Sequence, residues 1–554
     1  MNEGKEETEL SAGYRGIFKG GRELNLFDKA INSIAPVHGM KRMAARKTIQ
    51  ILNSGYSEGG ASHTKRSMKG FTGRSESPKK DIEGNLNTLR NRSRLLFMNA
   101  PIATSALLTK RTNVVGSGLK LKSRIDHEYL GISEDEAERW ERNVEREFGL
   151  WAESVHCDAL RMNNFYKQQQ IIFLGKLMNG DGFCLMKQFK ATSYMPYGLR
   201  LHIIEADRVS TPNTVIGYNS SGELFEGINP ANQNRIYSGV EVDKNGMTVA
   251  YHICSQYPNA VDISGAPAEW HRVEAFGKRT GRPNILHIYD AERAEQRRGV
   301  PMLAPVIEAL KQLTRYTEAE LMAAVISGMF TVFIKTEGPT SEIPVGEAIP
   351  QTAQEVSQDP NDYELGNGAI VSLNPGEKIE IADPKRPNTA FDSYVNSLCK
   401  QIGSALEIPK ELLLKEFSSS YSASRGALLE AWKMFRMQRE WLAEEFCQPV
   451  YESFLFEGVA RGRIEAPGFF EDPVKRKAWS GADWNGAAMG TLDPTKEVNA
   501  AIRRVENGFS TREEETMGLT GGDYTKNARQ LERENRMLRG KEEGGNDFGK
   551  EQNN

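Results

Sequence analysis

The sequence predicts an α+β protein with several long helices. Three observations carry that prediction. Residues 165 to about 290 hold one helix, then several short runs of β-formers broken by turn signals. Three long amphipathic stretches follow, at 299–330, 389–413 and 422–462. Between the first two of these lies a short β-containing insert.

The chain has 554 residues, enough for two to four ordinary domains and a large core. Hydrophobic residues make up 39% and charged residues 26%, the balance of a soluble protein. The 71 basic and 74 acidic groups leave a formal charge of -3. A protein that grips nucleic acid statically shows a basic excess. Near-neutrality fits one that lets DNA pass without holding it. Cys157, Cys184, Cys254, Cys399 and Cys447 are scattered, odd in number and form no CxxC, as expected of free thiols in a reducing compartment. The opening MNEGKEETEL is acidic and polar, unlike a secretory leader. The longest mostly apolar run, 321–333, falls short of the roughly 18 residues that span a bilayer.

Taken in order, residues 1–84 carry little patterned core. The stretch 55–81 is rich in Gly, Ser, Lys and Arg and reads as a flexible, solvated arm rather than a DNA-binding one. Leu86, Leu89 and Leu96, with Arg90, Arg92 and Arg94, predict a helix that ends before Pro101. A second helix follows to about 112, then a turn with Gly116 and Gly118 leads into a strand. Ser133 with Glu136 is a capping box for a helix over 133–153, and Trp140, Val144 and Phe148 recur on its core face. Strands are expected in DGFCLMKQF, LRLHIIEADRV, GVEVDKNGMTVAYHIC and RPNILHIYD, with a hairpin turn at Asp243 to Gly246.

Leu303, Val306, Leu310 and Leu313 stripe the next helix at 3-4-3 spacing. About 26 residues would make it roughly 39 Å long. TVFIK and GAIVSLNPGEKIEIAD flank a Pro/Gly/Gln-rich insert (338–367), with a turn at Asn374, Pro375 and Gly376. Phe391, Val395, Leu398 and Ile402 share one face of the second long helix, which stops before Pro409. The stretch KEFSSSYSASR is small, polar and nearly free of glycine. The third long helix follows, expected to kink at Pro449. Trp479 and Trp484 read as lying in a Gly/Ala-rich loop. Asp493, Pro494 and Gly508 punctuate a helix, and Ser510 with Glu513 is expected to cap another.

Catalytic patterns are missing from this reading. There is no G-x-x-x-x-G-K-[ST], no G-x-S-x-G and no H-E-x-x-H. His156, Cys157 and Asp158 form a tight cluster, but adjacent residues do not by themselves converge on a metal and no second cluster completes a site. Asp135/Glu136 and Glu444/Glu445 read as solvated helix surface. An ATPase or nuclease is thereby disfavoured, and no cofactor or metal is expected.

Several segments together resemble the lambda-type portal proteins of tailed bacteriophages. They are LRNRSRLLFMNAPIATSALLTKRTNVVGSGLKL, CDA (157–159), NGDGF (179–183), LNPGE (373–377), YSASRGALLEAWKMFRMQREWL (421–442), FCQPVYESFL (446–455) and LDPTKEVNAA (492–501). The chain departs from the family at Ser420, where Asn is usual. The resemblance spans roughly 85 to 520. It implies a ring, typically of twelve copies, around a DNA channel at one capsid vertex.

Carried onto this sequence, the resemblance implies a mixed α/β wing at 85–300 that also takes in a wing helix at 426–466. It implies stem helices at 301–328 and 389–408, a small β-containing clip at 329–388 and a tunnel loop at 409–425. A connecting loop (467–489), a helical crown (490–540) and a disordered tail (541–554) complete the expected order. The tunnel-loop candidates are Lys415, Ser418, Ser419, Ser420, Tyr421, Ser422 and Arg425, with Lys415 and Arg425 offered to phosphate and an inter-subunit salt bridge weighed equally for Lys415. Glu308, Lys311, Arg315, Glu318, Asp392 and Lys400 are candidate channel-lining stem charges, repeated in every copy. The implied partners are further copies of the chain, double-stranded DNA in transit, terminase large subunit, major capsid and scaffold protein, and a head–tail adaptor, with no membrane. The expected place is the virion, after assembly in the host cytoplasm. A different structural adaptor without a DNA channel is the rival reading.

Overall fold

The computed structural model describes residues 75–215, 227–258, 268–328, 332–336, 377–381, 390–417, 420–490 and 493–545, with scattered positions between 35 and 73. The chain divides into two units, Met1–Glu76 and Ser77–Asn554. The described part of the first includes helical residues 36–38 and a 3-10 turn at Arg66–Met68. Everything below concerns the second.

Helices α1 (Gly84–Asn99) and α2 (Pro101–Val114) are separated at Pro101, as the sequence predicts. A π-helical turn, Lys79–Glu83, runs into α1, so the helix begins within the segment read as an arm. Strand β1 (Lys120–Ser123) leads to α3 (Glu134–Ala152), whose Ser133/Glu136 capping box is formed. Next come α4 (Phe165–Asn179), β2 (Asp181–Gln188) and β3 (Leu199–Ile204). Short strands β4 (Gly227–Ile228), β5 (Arg235–Tyr237) and β6 (Val240–Val242) precede β7 (Thr248–Cys254), β8 (Trp270–Glu274) and β9 (Ile285–Tyr289). One antiparallel sheet has the order β3-β2-β9, with Phe183 opposite Ile204 and Cys184 opposite Leu286. The other is an antiparallel meander, β4 to β8, whose β6–β7 hairpin turns at Asp243, where the carboxylate accepts from the backbone N–H groups of Asn245 and Met247.

The first long helix, α5, spans Ile307–Gly328 after a 3-10 turn at Ala304–Val306. It is shorter than expected because Pro301 and Pro305 hold its root in tighter turns. Strands β10 (Val332–Thr336) and β11 (Glu377–Ile381) pair antiparallel, with Ile334 opposite Ile379. The insert between them, including the Asn374–Gly376 turn, lies outside the described residues. Helix α6 (Phe391–Ala405) returns alongside α5, and a short α7 (Lys410–Leu414) follows.

Helix α8 (Tyr421–Leu442) continues through a π-helical turn, Ala443–Cys447, into α9 (Gln448–Ala460). The expected effect of Pro449 is met by that wider turn, which falls where the proline deprives Glu445 of its usual N–H donor. Two corrections concern the tryptophans. Trp479 ends a helix, α10 (Pro473–Trp479), and packs on Trp140 with ring centroids 4.8 Å apart. Trp484 lies in β12 (Ala482–Asn485), opposite Leu121 of β1. Both indole rings are drawn into packing that overrides the loop-like composition around them.

Helices α11 (Pro494–Glu506), α12 (Arg512–Thr520) and α13 (Tyr524–Gly545) complete the described chain. The α12 cap is Thr511 with Glu514, one residue beyond the expected pair, with Thr511 in the extended backbone of an N-cap and the reciprocal capping box formed. Helix α13 runs into the segment read as a disordered tail.

One hydrophobic core binds these parts. Leu303, Val306, Leu310 and Leu313 at the root of α5 join Cys399, Ile402 and Leu406 of α6 and Phe435 and Leu442 of α8. Phe148 lies at its aromatic centre, within 5.2–6.0 Å of Trp151, Phe165, Tyr451, Phe454 and Trp484. Each such buried side chain contributes about 1.5–3 kcal/mol. A second core, with Phe183, Val209, Val240, Val242, Tyr251 and Ile253, fills the β-rich lobe.

Candidate functional site

Helices α5 and α6 form an antiparallel pair. Tyr316 stacks on Phe391 at 5.5 Å and meets Tyr394 edge-on at 4.9 Å. The apolar stripe of α5 is buried at its root, so the opposite face is left to solvent. Glu308, Lys311, Arg315 and Glu318 all lie on that exposed face, at 3-4-3 spacing. Asp392 and Lys400 on α6 are also exposed. Among the described residues, none of the six forms an ion pair within the chain. The sequence-predicted stem charges are thus one solvent-facing set on one pair of helices.

The stretch KEFSSSYSASR is a loop for only part of its length. Lys415 closes α7 in the left-handed conformation, φ 57°, and its backbone N–H donates to the Glu411 carbonyl. Lys415, Glu416 and Phe417 are exposed. Ser418 and Ser419 lie outside the described residues, as does the side chain of Tyr421. Ser420 is the N-cap of α8, its hydroxyl accepting from the Ala423 N–H at 3.4 Å. Tyr421, Ser422 and Arg425 are therefore helical, which corrects the expectation of a loop through 425. A serine at a cap starts a helix, whereas a serine run read by composition suggests a loop. Arg425 is correspondingly not a loop-edge cation free for phosphate. Its guanidinium pairs with Glu497 of α11 at 2.5 Å.

The geometry also assembles a charged hub that sequence reasoning passed over. Asp181 opens β2, directly after α4 ends, and is fully enclosed. One carboxylate oxygen is held by Nε2 of His287 at 2.8 Å and by the Gly299 N–H at 2.7 Å. The other is held by Nε of Arg298 at 3.0 Å and by the Arg90 guanidinium. Arg298 also donates to the carbonyls of Val209 and Ala206, at 2.8 and 2.9 Å, and to that of Ser238. Arg90 donates through Nε to the Asn179 carbonyl at 2.9 Å.

Burial alone would raise the Asp181 pKa. The charge of Arg298, the His287 hydrogen bond and the charge of Arg90 outweigh it and hold the carboxyl well below the usual range. Burial pushes His287 down, against the pull of Asp181, and lowers Arg90 to about 10. Gly180 and Gly299 permit the approach. A Cβ on Gly180 (φ +87°) would lie 2.4 Å from the Gly299 carbonyl oxygen, and one on Gly299 would lie 1.9 Å from that of Gly180. The hub thus fastens α1, the three-stranded sheet and the β-rich lobe to the root of α5. The sequence signal was present in Asn179-Gly180-Asp181-Gly182, a charge set between glycines at a helix-to-strand junction.

Among the described residues, no group of three or more His, Cys, Asp or Glu side chains could hold a metal ion. Burial pushes the Cys157 thiol up to about 12, aided by the neighbouring Asp158, while the Asp158 carboxylate caps the backbone N–H groups of Leu160 and Asn163. No described helix is long and apolar enough to cross a membrane.

The α5–α6 pair, with β10 and β11 between its helices in sequence, is packed at its root into the core of a mixed α/β body. Residues 64–439 match the phage portal protein family, lambda family. The chain belongs to that family, whose members are structural components of the bacteriophage virion. It is 24% identical over 493 residues to the portal protein of Escherichia phage N15, covering 85% of this chain and 88% of that one. It is likewise 24% identical to portal protein B of Escherichia phage lambda, with 85% and 87% covered. Among solved structures, it is similar to a chain in the neck of a native GTA particle computed with C12 symmetry, at 11% identity, TM-score 0.41, and 78% and 93% coverage. A chain in the neck of an empty GTA particle computed with C6 symmetry gives 11% identity, TM-score 0.46, and 79% and 95% coverage.

Proposed function

We propose that copies of the chain close into a ring at one capsid vertex, and that the ring is the channel through which viral double-stranded DNA is packaged and later ejected. The observation that carries this reading is the α5–α6 stem. It bears the β10–β11 pair at one end and leads through α7 to the serine-rich stretch 418–420 at the other, in a chain of the portal family. The insertion at 329–388 is the docking platform for terminase and then for the head–tail adaptor. The wing contacts capsid and scaffold protein during assembly in the host cytoplasm.

The ring itself does no covalent chemistry, and ATP hydrolysis belongs to the terminase. Lys415 and Ser418–Ser420 belong to the stretch that faces DNA, while Glu308, Lys311, Arg315, Glu318, Asp392 and Lys400 are the candidate stem charges for the channel wall. Small hydroxyl side chains offer weak contacts to phosphate. A ring of lysines or arginines there would release counterions, bind DNA strongly and stall its movement. Arg425, paired with Glu497, anchors the helix behind that stretch.

Replacing Ser418, Ser419 and Ser420 together by aspartate should leave rings intact and sharply reduce the yield of packaged DNA. Normal yield from that variant rules out the stretch as a channel element.

A further inference from the structure

Helices α11–α13 are held to the body of the chain by charge rather than by a core. Among the described residues they bury one apolar side chain, Ala501, and add none to either hydrophobic core. Among the described residues, too, no backbone hydrogen bond joins 493–545 to the body. The segment just before them differs. Trp484 of β12 packs against Phe148, at the aromatic centre of the main core. Gly486, Ala487, Ala488, Met489 and Gly490 then lead out of that core with little side chain to fix their path.

Ion pairs make the joint. Lys122 of β1 reaches Asp523 at 3.1 Å and Glu145 of α3 at 3.8 Å. Lys526 of α13 lies 3.9 Å from both of those carboxylates. The four groups alternate in sign and form one network across the joint. Arg124, just after β1, pairs with Glu513 of α12 at 3.1 Å. Arg529 of α13 pairs with Glu138 of α3, and Arg425 of α8 with Glu497 of α11 at 2.5 Å. Glu138 and Glu145 are two turns apart on α3, and Lys526 and Arg529 one turn apart on α13, so an acidic ridge meets a basic one. Burial alone would raise the Asp523 pKa, but the Lys526 N–H and the Lys122 ammonium hold the carboxyl below its usual range.

Such a joint answers to ionic strength. The screening length falls from about 10 Å at 0.1 M salt to about 3 Å at 1 M. Partly exposed pairs are each weak, so the joint depends on their sum. Burial of apolar surface carries no charge to screen, and an apolar joint would lack this dependence.

We propose that α11–α13 are an ion-pair-latched unit, docked on β1 and α3 at low ionic strength and released at high, with 486–490 as the hinge and the body still folded. The latch is a property of one chain and stands whether or not copies close into a ring.

The test reads a distance within the full chain. Spin labels are placed at N143C of α3 and N535C of α13, while the five native cysteines are buried. Labelled chain is diluted with unlabelled chain, so that only pairs within one copy are read. Pulsed dipolar spectroscopy then compares about 0.05 M with about 1 M NaCl. The docked-to-released ratio should fall by about tenfold or more between them. K122E and R529E should release the unit at low salt, and E138K added to R529E should dock it again. R504A is the control, since its pair with Glu515 lies inside the unit, and it should stay docked. Circular dichroism establishes that each variant is folded. One distance distribution at both salts, or a broad one already at low salt, overturns the latch. Release by salt with K122E and R529E still docked overturns its assignment to these pairs.

Discussion

Replacing Asp181 by asparagine isolates what the buried hub contributes. The native carboxylate accepts from Arg90, Arg298, His287 and the Gly299 N–H. Asparagine keeps the shape but removes the charge, and it turns one acceptor into a donor that faces other donors. The enclosed Arg298 guanidinium then loses its counter-ion, and Arg90 keeps only its longer pair with Asp207, at 3.6 Å. Breaking a buried ion pair from one side costs about 3–5 kcal/mol, because the remaining charge stays desolvated. An exposed pair is worth about 0–1 kcal/mol. The Arg504–Glu515 pair on the surface, 2.5 Å long, is the internal comparison. Urea unfolding followed by circular dichroism should place D181N about 3–5 kcal/mol below wild type, and R504A within about 1 kcal/mol of it. If D181N falls within the R504A range, the hub does not hold the three-stranded sheet and the β-rich lobe to the root of α5.

Lys110 and His287 give two further predictions. Lys110 is buried, and burial pushes its pKa down to about 8 against the opposing charges of Glu407 and Asp290. Keeping that ammonium charged at pH 7 opposes folding, so K110M should stabilise the chain by about 1–3 kcal/mol, the gain shrinking as pH rises from 8 toward 10. A loss of stability in K110M would mean that the ammonium pairs productively with Glu407. His287 has a lowered pKa, so the folded state holds it neutral while the unfolded state takes up a proton near pH 6.5. Its contribution is complete above that value and falls as pH drops below it. The Asp181 contribution is instead kept until pH falls below about 4. Urea midpoints should therefore decline from pH 7 to 5, and H287Q should flatten that part of the decline. An unchanged slope in H287Q assigns the decline to other groups.

How far the sequence reveals the fold depends on whether the signal is local. The Leu303–Leu313 stripe, the Ser133/Glu136 box and the Pro101 break are set by periodicity and capping, and each appears where the residues place it. The order of helix, β insertion and helix is legible for the same reason. The hub around Asp181 is not, because its partners come from positions 90, 287, 298 and 299, on three separate segments. No periodicity marks a buried carboxylate. The serine-rich stretch misleads in a different way. Serine lowers helix propensity inside a helix but starts one at a cap, so Ser420 begins α8 where composition suggests more loop. Trp479 and Trp484 sit among glycine and alanine, and only their packing against Trp140 and the Phe148 cluster makes their surroundings regular.

The central claim is a closed ring around a DNA channel. Negative-stain imaging of the purified full chain, with native mass measurement on the same sample, tests it most directly. The account predicts closed rings of about twelve copies with a central hole wide enough for duplex DNA. Monomers or dimers as the sole species, with scaffold protein supplied, would contradict it.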